Sequence, residues 1–260
     1  MKIAVCVKQV PDTTARKELT DDFRLNRASL DSVLNPFDEY ALEEGIRQKE
    51  AHEGEVAMVT MGPASAEETM RKGLAMGADR GVLITDSALA GSDIWVTATA
   101  LAAALRSGGY DLILCGQESA DARTGLLPGA LAEHLGLPFL SYVQKLDIEG
   151  SQLRVRRQLS GGYEVISANL PAVVMVVKAI NEPRYPSLKG IMASKRKQVT
   201  KLDAGGLGLE PASLGIAGSR TEVVAATPRP AKEPGRMLTE PPSEAAKLIA
   251  DFLAENKVIA

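Results

Sequence analysis

The feature that most constrains the fold is an alternation of short apolar runs with segments of helical spacing. The apolar runs, rich in Val, Ile and Leu, are Ile3–Val7, Val56–Thr60, Val82–Ile84 and Leu112–Cys115. Helical patterns occupy residues 38–52, 63–77, 92–107 and 123–136. Asn35, just before Pro36, is expected to cap the first of these helices, and Ser92-Asp93 is expected to open the third. Strands that are apolar throughout are buried on both faces, because helices cover both sides of a parallel sheet. The sequence therefore predicts an α/β fold with a mostly parallel, twisted sheet and helices on both faces.

The second half of the chain has a different pattern. Four strand-like segments follow without intervening helices, namely 139–146, 153–159, 163–168 and 172–177, and Ser160–Gly162 joins two of them as a hairpin. We expect one domain over residues 1–200 that includes this small antiparallel region. Residues 201–241, poor in large apolar side chains, predict an extended arm. Residues 242–260 contain a helical pattern, with Ser243 as its cap, that would cover a face of the domain or of a second subunit.

Composition excludes several classes of function. A net charge of −3 gives no reason to expect nucleic acid binding or direct membrane insertion. The only two cysteines, Cys6 and Cys115, lie in apolar runs and are expected to be buried, reduced thiols. With two histidines in the chain, a metal site is not expected. The first apolar stretch is too short for a signal peptide, so the expected location is cytoplasmic.

A ligand is expected beyond the carboxyl ends of the strands, where open parallel sheets bind ligands. The longest segment at such an end, Gly116–Gly125, is polar and leads into a helix N-terminus. Backbone N–H groups, Thr124 and Arg123 there would suit a phosphate. The usual glycine-rich nucleotide motifs are absent, so a polar surface loop remains the alternative.

A second informative segment spans residues 180–197. Pro183 and Pro186 form a stiff turn that projects Leu188. An apolar pair and a basic run follow, consisting of Ile191, Met192, Lys195, Arg196 and Lys197. An apolar anchor beside a basic rim is typical of a protein-docking surface. The alternative is an exposed turn that leads into a solvated basic helix.

This segment, with Asn-Glu-Pro-Arg-Tyr at 181–185 before Leu188 and the basic run, resembles the recognition loop of the electron transfer flavoprotein beta subunit. Further similarities occur in the same order as in that family. They are Asn35–Ala41, Gly62-Pro63-Ala64, Ala75–Arg80 and the hairpin around Gly161-Gly162. The resemblance extends over roughly residues 1–200.

The resemblance implies the small subunit of a heterodimer. The sequence shows no nucleophile–base pair and no paired carboxylates in a catalytic arrangement, so no catalytic residues are expected. The alpha subunit would hold most of the FAD, while this chain would cover it and bind AMP structurally. Electrons would arrive from acyl-CoA or other flavin dehydrogenases and leave to a quinone oxidoreductase. The partner dehydrogenase would dock on Leu188, Ile191, Met192 and the basic run. The flavin would be approached by Asp12 and Thr13. The nucleotide site carried over by position is Cys6, Asn35, Pro36, Phe37, Asp38, Met61, Ser119, Ala120, Asp121, Ala122, Arg123, Thr124 and Gly125.

Two alternatives stay open. One is a bifurcating relative in which a second FAD, reducible by NADH, replaces AMP. The loop Asp121–Gly125 is shorter than in many family members and lacks the Asp-Gly-Asp-Thr pattern associated with bifurcation. The other is a free-standing adenine-nucleotide sensor of similar fold.

Overall fold

The structure is a computed structural model, and it describes residues 1–27, 30–227, 230 and 235–259. The chain forms two compact units, Met1–Val223 and Val224–Ala260. Part of the expected arm at 201–241, and the last residue of the expected C-terminal segment 242–260, lie outside the described residues. Within the described residues, no helix is both long enough and apolar enough to cross a membrane.

The first unit is built on a nine-stranded sheet. Its strands and those of a separate two-stranded sheet are β1 (Lys2–Cys6), β2 (Gln9–Pro11), β3 (Ser32–Leu34), β4 (Glu55–Met61), β5 (Arg80–Ile84), β6 (Leu112–Gly116), β7 (Phe139–Glu149), β8 (Gln152–Leu159), β9 (Gly162–Asn169), β10 (Ala172–Val176) and β11 (Val199–Leu202). The large sheet has the order β11-β5-β4-β1-β6-β10-β7-β8-β9. All pairs from β11 to β7 are parallel, whereas β7, β8 and β9 pair antiparallel.

The predicted α/β class with a mostly parallel sheet is confirmed. The antiparallel strands β7, β8 and β9 continue the same sheet, because β10 lies between β6 and β7 and pairs with both of them. The antiparallel pair β2–β3 was not expected. Nor was β11, within which the expected domain boundary at residue 200 falls. Both β2 and β3 are three residues long, too short for a periodicity to be visible.

Seven helices occur among the described residues. They are α1 (Pro36–His52), α2 (Ala66–Met76), α3 (Ile94–Gly108), α4 (Leu127–Leu135), α5 (Leu188–Ser194), α6 (Gly215–Gly218) and α7 (Pro242–Glu255). The two faces of β1 show how the core is divided. Ile3 and Val5 pack with residues of α1 and α2, while Ala4 and Cys6 pack with residues of α3 and α4. Helices therefore cover both faces, as expected from strands without polar positions.

Helix starts agree only in part with the capping prediction. Asp93 caps α3 by accepting a hydrogen bond from the Val96 N–H at 3.0 Å. The prediction of Ser243 as a cap is wrong, because α7 starts at Pro242 with Pro241 at the cap position. Helix α4 starts at Leu127 rather than at residue 123. Arg123 and Gly125 adopt positive φ angles of 52° and 64°, which a right-handed helix does not allow.

Candidate functional site

The strand order places a topological switch between β1 and β6. From β1 the chain proceeds through β4 and β5 on one side, and returns to β6 and β10 on the other. Cys6 and Cys115 are register partners at the carboxyl ends of these two strands, and both are buried free thiols as expected. The Cys6 thiol, burial and the nearby Asp38 carboxylate hold the pKa of Cys115 well above its usual value. Ligands of open α/β sheets bind beyond such a point.

Asp38, in the first turn of α1, connects the ends of both strands. Its Oδ2 accepts a hydrogen bond from the Lys8 N–H at 2.8 Å, directly after β1. Gly116 ends β6, and a Cβ there would lie 2.4 Å from the Asp38 Oδ1. Burial raises the pKa of Asp38 to about 7, although hydrogen bonds from Asn35, Lys8 and Gly116 favour the ionised carboxylate. Because a Cβ at residue 116 would clash with this carboxylate, the end of β6 requires glycine.

Asn35 joins the start of α1 to the loop after β6. Its side-chain Nδ2 donates to the Glu118 carbonyl at 2.8 Å, and its Oδ1 accepts from the Ala120 N–H at 3.1 Å. The side chain makes no capping hydrogen bond to α1, so the expectation that it caps this helix is wrong. Because Asn35 is only 1% exposed, both backbone partners depend on its amide. The structure thus brings Asn35 together with the loop that sequence similarity assigned to the same site.

The loop itself has a buried half and an exposed half. The Asp121 carboxylate is buried, and it forms ion pairs with Lys8 Nζ at 2.9 Å and with Arg27. Lys8 Nζ also lies 3.3 Å from the Ser119 hydroxyl. Burial would raise the pKa of Asp121, but the charge of Lys8 and the hydrogen bonds from Lys8, Arg27 and Ser119 hold it well below its usual value. Ala122, Arg123 and Thr124 are exposed beyond it.

The other residues assigned to the nucleotide site lie around the same edge. Met61 is half-buried at the end of β4, next to β1. Phe37 is half-buried and Pro36 is exposed in the first turn of α1. Asp12 and Thr13 follow β2, outside this hydrogen-bonded group, where the Asp12 carboxylate accepts from the Thr14 N–H at 2.8 Å.

Sequence reasoning missed three cations at this edge. Lys8 binds Asp121 and Ser119, Arg27 pairs with Asp121, and Lys17 Nζ lies 3.5 Å from the Ala120 carbonyl oxygen. Lys8 had a usable signal, because it is the first charged residue after a strand whose end was already considered a ligand position. Lys17 and Arg27 had none, since their proximity depends on how residues 12–27 fold.

The second candidate site is helix α5 and the turn before it. Leu188, Ile191 and Met192 are 76%, 46% and 67% exposed. The helix lies close to α2, because a Cβ at Gly190 would be 2.3 Å from the Ala75 carbonyl oxygen. Its apolar side chains therefore face outward from a fixed base.

The basic run after α5 divides into two kinds of residue. Lys195 and Arg196 are exposed. Lys197 instead donates from Nζ to the Leu74 and Ala78 carbonyl oxygens at 2.9 and 2.6 Å, and burial lowers its pKa. Lys197 thus binds the C-terminal end of α2 and the turn after it, and the exposed cations beside the apolar residues are Lys195 and Arg196.

Ion pairs to α1 hold the preceding turn. The Arg184 guanidinium contacts the Glu43 Oε2 at 2.8 Å and the Glu50 Oε1 at 2.6 Å. The Asn181 Nδ2 donates to the Tyr40 carbonyl at 3.0 Å. Burial would raise the pKa of Glu43, but hydrogen bonds from Arg184 help to lower it, so the pairing is charge-assisted. The near-complete burial of Glu43 shields the pairing from water on one side.

Comparison with known proteins assigns the chain to a family. Residues 22–206 match the family described as the electron transfer flavoprotein domain. The chain is 44% identical to the electron transfer flavoprotein subunit beta of Mycobacterium tuberculosis strain H37Rv, over 99% of both chains. It is 40% identical, over the whole of both chains, to the subunit of the same name from Thermoanaerobacterium thermosaccharolyticum. Subunit CarD of the caffeyl-CoA reductase-Etf complex of Acetobacterium woodii is 38% identical, also over both full chains. This chain therefore belongs to the electron transfer flavoprotein beta subunit family.

Proposed function

We propose that this chain is the small subunit of a heterodimeric electron transfer flavoprotein that carries electrons from acyl-CoA or other flavin dehydrogenases to a quinone oxidoreductase. The alpha subunit would hold most of the FAD, and this chain would cover it and bind one AMP structurally. The name of the Acetobacterium relative, which joins an Etf to a CoA-thioester reductase, supports dehydrogenases of CoA thioesters as partners. The FAD supplies the electron-transfer chemistry when it is bound.

The observation that carries the nucleotide proposal is the junction of Asn35, Asp38 and the loop after β6 at the switch between β1 and β6. At the exposed end of this loop lie the Arg123 guanidinium and the Thr124 hydroxyl, just before the N-terminus of α4. A guanidinium, a hydroxyl and the N-terminus of a helix are groups that suit a phosphate. The residues present therefore fit a nucleotide phosphate.

Within that site the buried residues have a positioning task. Asn35 fixes the backbone at Glu118 and Ala120, while Asp38 fixes the ends of β1 and β6. Both side chains have satisfied hydrogen bonds to backbone groups, so they hold the loop in one conformation before a ligand arrives. A ligand that meets a preorganised loop loses less conformational entropy on binding.

For partner docking, the proposal rests on the exposed apolar residues of α5. Leu188 and Met192 are largely exposed on a helix that α2 supports, while the Arg184 ion pairs hold the preceding turn. An apolar side chain on a rigid support is the usual composition of an interface hot spot. Leu188 is the proposed anchor, with Ile191 and Met192 beside it.

The deciding experiment is co-expression with the alpha subunit, followed by acid extraction and identification of every released nucleotide. One AMP and one FAD per heterodimer would support the proposal. Two FAD per heterodimer would favour the bifurcating alternative, and a stable, homogeneous monomer without a second chain would favour the sensor. Deleting residues 236–260 should weaken the heterodimer, because helix α7 exposes Ile249 and Phe252.

Replacing Asn35 by Ala tests the loop directly. It removes both side-chain hydrogen bonds, to Glu118 and to Ala120. The loss should destabilise the fold by about 2 kcal/mol and, at the same time, reduce the retention of AMP. Asn169→Ala, an exposed position at the end of β9, is the matched control and should leave both properties unchanged. Unchanged AMP retention in Asn35→Ala would contradict the assignment of the site.

A further inference from the structure

Residues 12–27, named here the hairpin segment, form a small folded unit beyond the end of β2. Leu19 and Leu25 form an antiparallel bridge. The Thr20 N–H donates to the Arg24 carbonyl at 2.7 Å, and the Asn26 N–H donates to the Glu18 carbonyl at 2.9 Å. At its base, the Asp12 N–H donates to the Asp31 carbonyl at 2.8 Å and extends the β2–β3 pairing. The segment is therefore a defined hairpin rather than an open loop.

Two side chains of the hairpin segment reach the loop after β6. The Arg27 guanidinium pairs with the Asp121 carboxylate, and Lys17 Nζ lies 3.5 Å from the Ala120 carbonyl oxygen. Lys8 completes the junction from the end of β1, with its Nζ 2.9 Å from the other Asp121 oxygen. One carboxylate thus connects three separate stretches of chain.

The exposure of the charged groups shows what this junction can do. The Asp121 side chain is 1% exposed, whereas those of Lys8 and Arg27 are 39% and 47% exposed. A buried carboxylate is stable only while it is paired, so Asp121 strongly favours the arrangement in which the hairpin segment lies against the loop. When the hairpin segment separates, the Arg27 guanidinium is easily rehydrated, whereas the buried Asp121 carboxylate loses one of its two cations and keeps only Lys8. The carboxylate is therefore the group that holds the junction closed.

We propose that Asp121 is a latch: it positions the loop after β6 and holds the hairpin segment against it, so that a nucleotide bound at the loop leaves only when the latch opens. This inference rests on the proposed function for the identity of the nucleotide, an adenosine monophosphate. It gives Asp121 a role different from the direct cofactor contact expected from sequence similarity, because Lys8 and Arg27 occupy its two oxygens. Arg123 and Thr124, two and three residues further on, are exposed and would meet the phosphate.

The test uses the purified heterodimer with labelled AMP, and measures the rate of AMP release into excess unlabelled AMP. Asp121→Asn keeps the size of the side chain but removes its charge, and we expect release at least about tenfold faster, equivalent to about 1.4 kcal/mol. Arg27→Gln should accelerate release to a similar extent, and the double variant should release AMP no faster than either single variant. Arg27→Lys, which keeps the charge, should restore most of the slow release.

Limited digestion with trypsin gives a readout that is independent of the nucleotide. In Asp121→Asn the hairpin segment should be cleaved after Lys17 and Arg24 several times faster than in the wild type. The matched control is Asp147→Asn, which breaks an ion pair with Lys145 between exposed side chains 2.7 Å apart, and it should change neither rate.

The two proposals can fail separately. Wild-type heterodimer without AMP would contradict the proposed function, and digestion alone would then decide on the latch. Wild-type rates of both AMP release and cleavage in Asp121→Asn would overturn the latch. Additive effects of Asp121→Asn and Arg27→Gln on release would also contradict it, because the two residues would then act independently.

Discussion

The carboxyl edge of the sheet and helix α5 are built from opposite kinds of residue. At the sheet edge, polar side chains such as Asn35, Asp38 and Asp121 are buried, and backbone groups or cations satisfy them. On α5, apolar side chains such as Leu188 and Met192 are exposed. A buried polar group holds its surroundings in place because leaving it unpaired is unfavourable, whereas an exposed apolar group contributes only when a partner covers it. Changes at the sheet edge should therefore alter stability and ligand retention together, and changes on α5 should alter partner coupling alone.

The largest effect is expected from Gly116→Ala. The added Cβ would lie 2.4 Å from the Asp38 Oδ1 and 2.7 Å from the Phe37 carbonyl, so the start of α1 must move away from β6. Forced overpacking of this kind should lower the free energy of unfolding by about 3 kcal/mol. Urea denaturation measures this, and Gly161→Ala is the control, because its Cβ would lie within 4 Å of no atom in the part of the chain that the structure describes. Equal stability of the two variants would contradict the close packing at the sheet edge.

The pH dependence of stability tests the burial of Asp38. Its pKa is about 7 in the folded protein and 3.8 for a solvated aspartate, as in the unfolded chain, so the contribution is present at low pH and is lost as pH rises through about 7. Between pH 5 and pH 8 the wild type should lose roughly 2–3 kcal/mol relative to Asp38→Asn. Thermal unfolding of both proteins across this range gives the difference, which removes the contribution of other titrating groups. A difference that does not change with pH would show that Asp38 is ionised throughout.

At the proposed docking surface on α5, Leu188→Ala should weaken coupling to the proposed dehydrogenase partner while the fold stays intact. Truncation of a hot-spot side chain reduces the affinity by about 2 kcal/mol, or roughly thirtyfold. The measurement is dehydrogenase-dependent reduction of the flavin, with flavin content and melting temperature as references. The control is Leu159→Ala, which truncates another exposed leucine and should leave the reduction rate unchanged. A wild-type rate in Leu188→Ala across several partners would favour an exposed, solvated turn for this segment.

The smallest effect separates the neighbouring cations. Neutralising Lys195 and Arg196 should lower the association rate a few-fold at low ionic strength and have little effect at high ionic strength, because exposed charges steer encounter and salt screens them. Lys197→Ala should instead lower stability by about 1 kcal/mol, since its ammonium binds two carbonyl oxygens of α2 and the following turn. Stopped-flow kinetics at two salt concentrations and denaturation of each variant distinguish the two roles. Identical behaviour of the three lysine and arginine variants would contradict the division.

The sequence predicted those parts of the fold that depend on local pattern. Apolar runs such as Ile3–Val7 and Leu112–Cys115 indicated the parallel strands, because strands buried on both faces lack polar positions. The short strands β2, β3 and β11 had no such signal, since pairing across the fold defines them. The helix-capping role expected for Asn35 was wrong for a similar reason. Local and distant backbone groups compete for its side-chain amide, and the amide bonds the distant loop after β6 instead of the first turn of α1.

Ion pairs between distant segments were the least predictable part of the candidate site. Lys17 and Arg27 reach the loop after β6 only because the hairpin segment folds back across the chain. Lys197 looked like the end of a basic run, yet the orientation of α5 against α2 buries its ammonium. A charge pattern gives the number of cations, while tertiary packing decides which of them remain free.

Helix α1 has a consequence for how this family can diversify. Its first turn contacts the sheet edge through Asp38, and its later turns hold the turn before α5 through the ion pairs of Glu43 and Glu50 with Arg184. The turn that contains Arg184 is therefore not a module that can be exchanged on its own. A chimaera that receives residues 181–194 from a distant relative should need the matching acidic positions on α1 as well. With the docking role proposed for α5, a change of partner preference should be confined to its outward side chains, which can vary without disturbing α1.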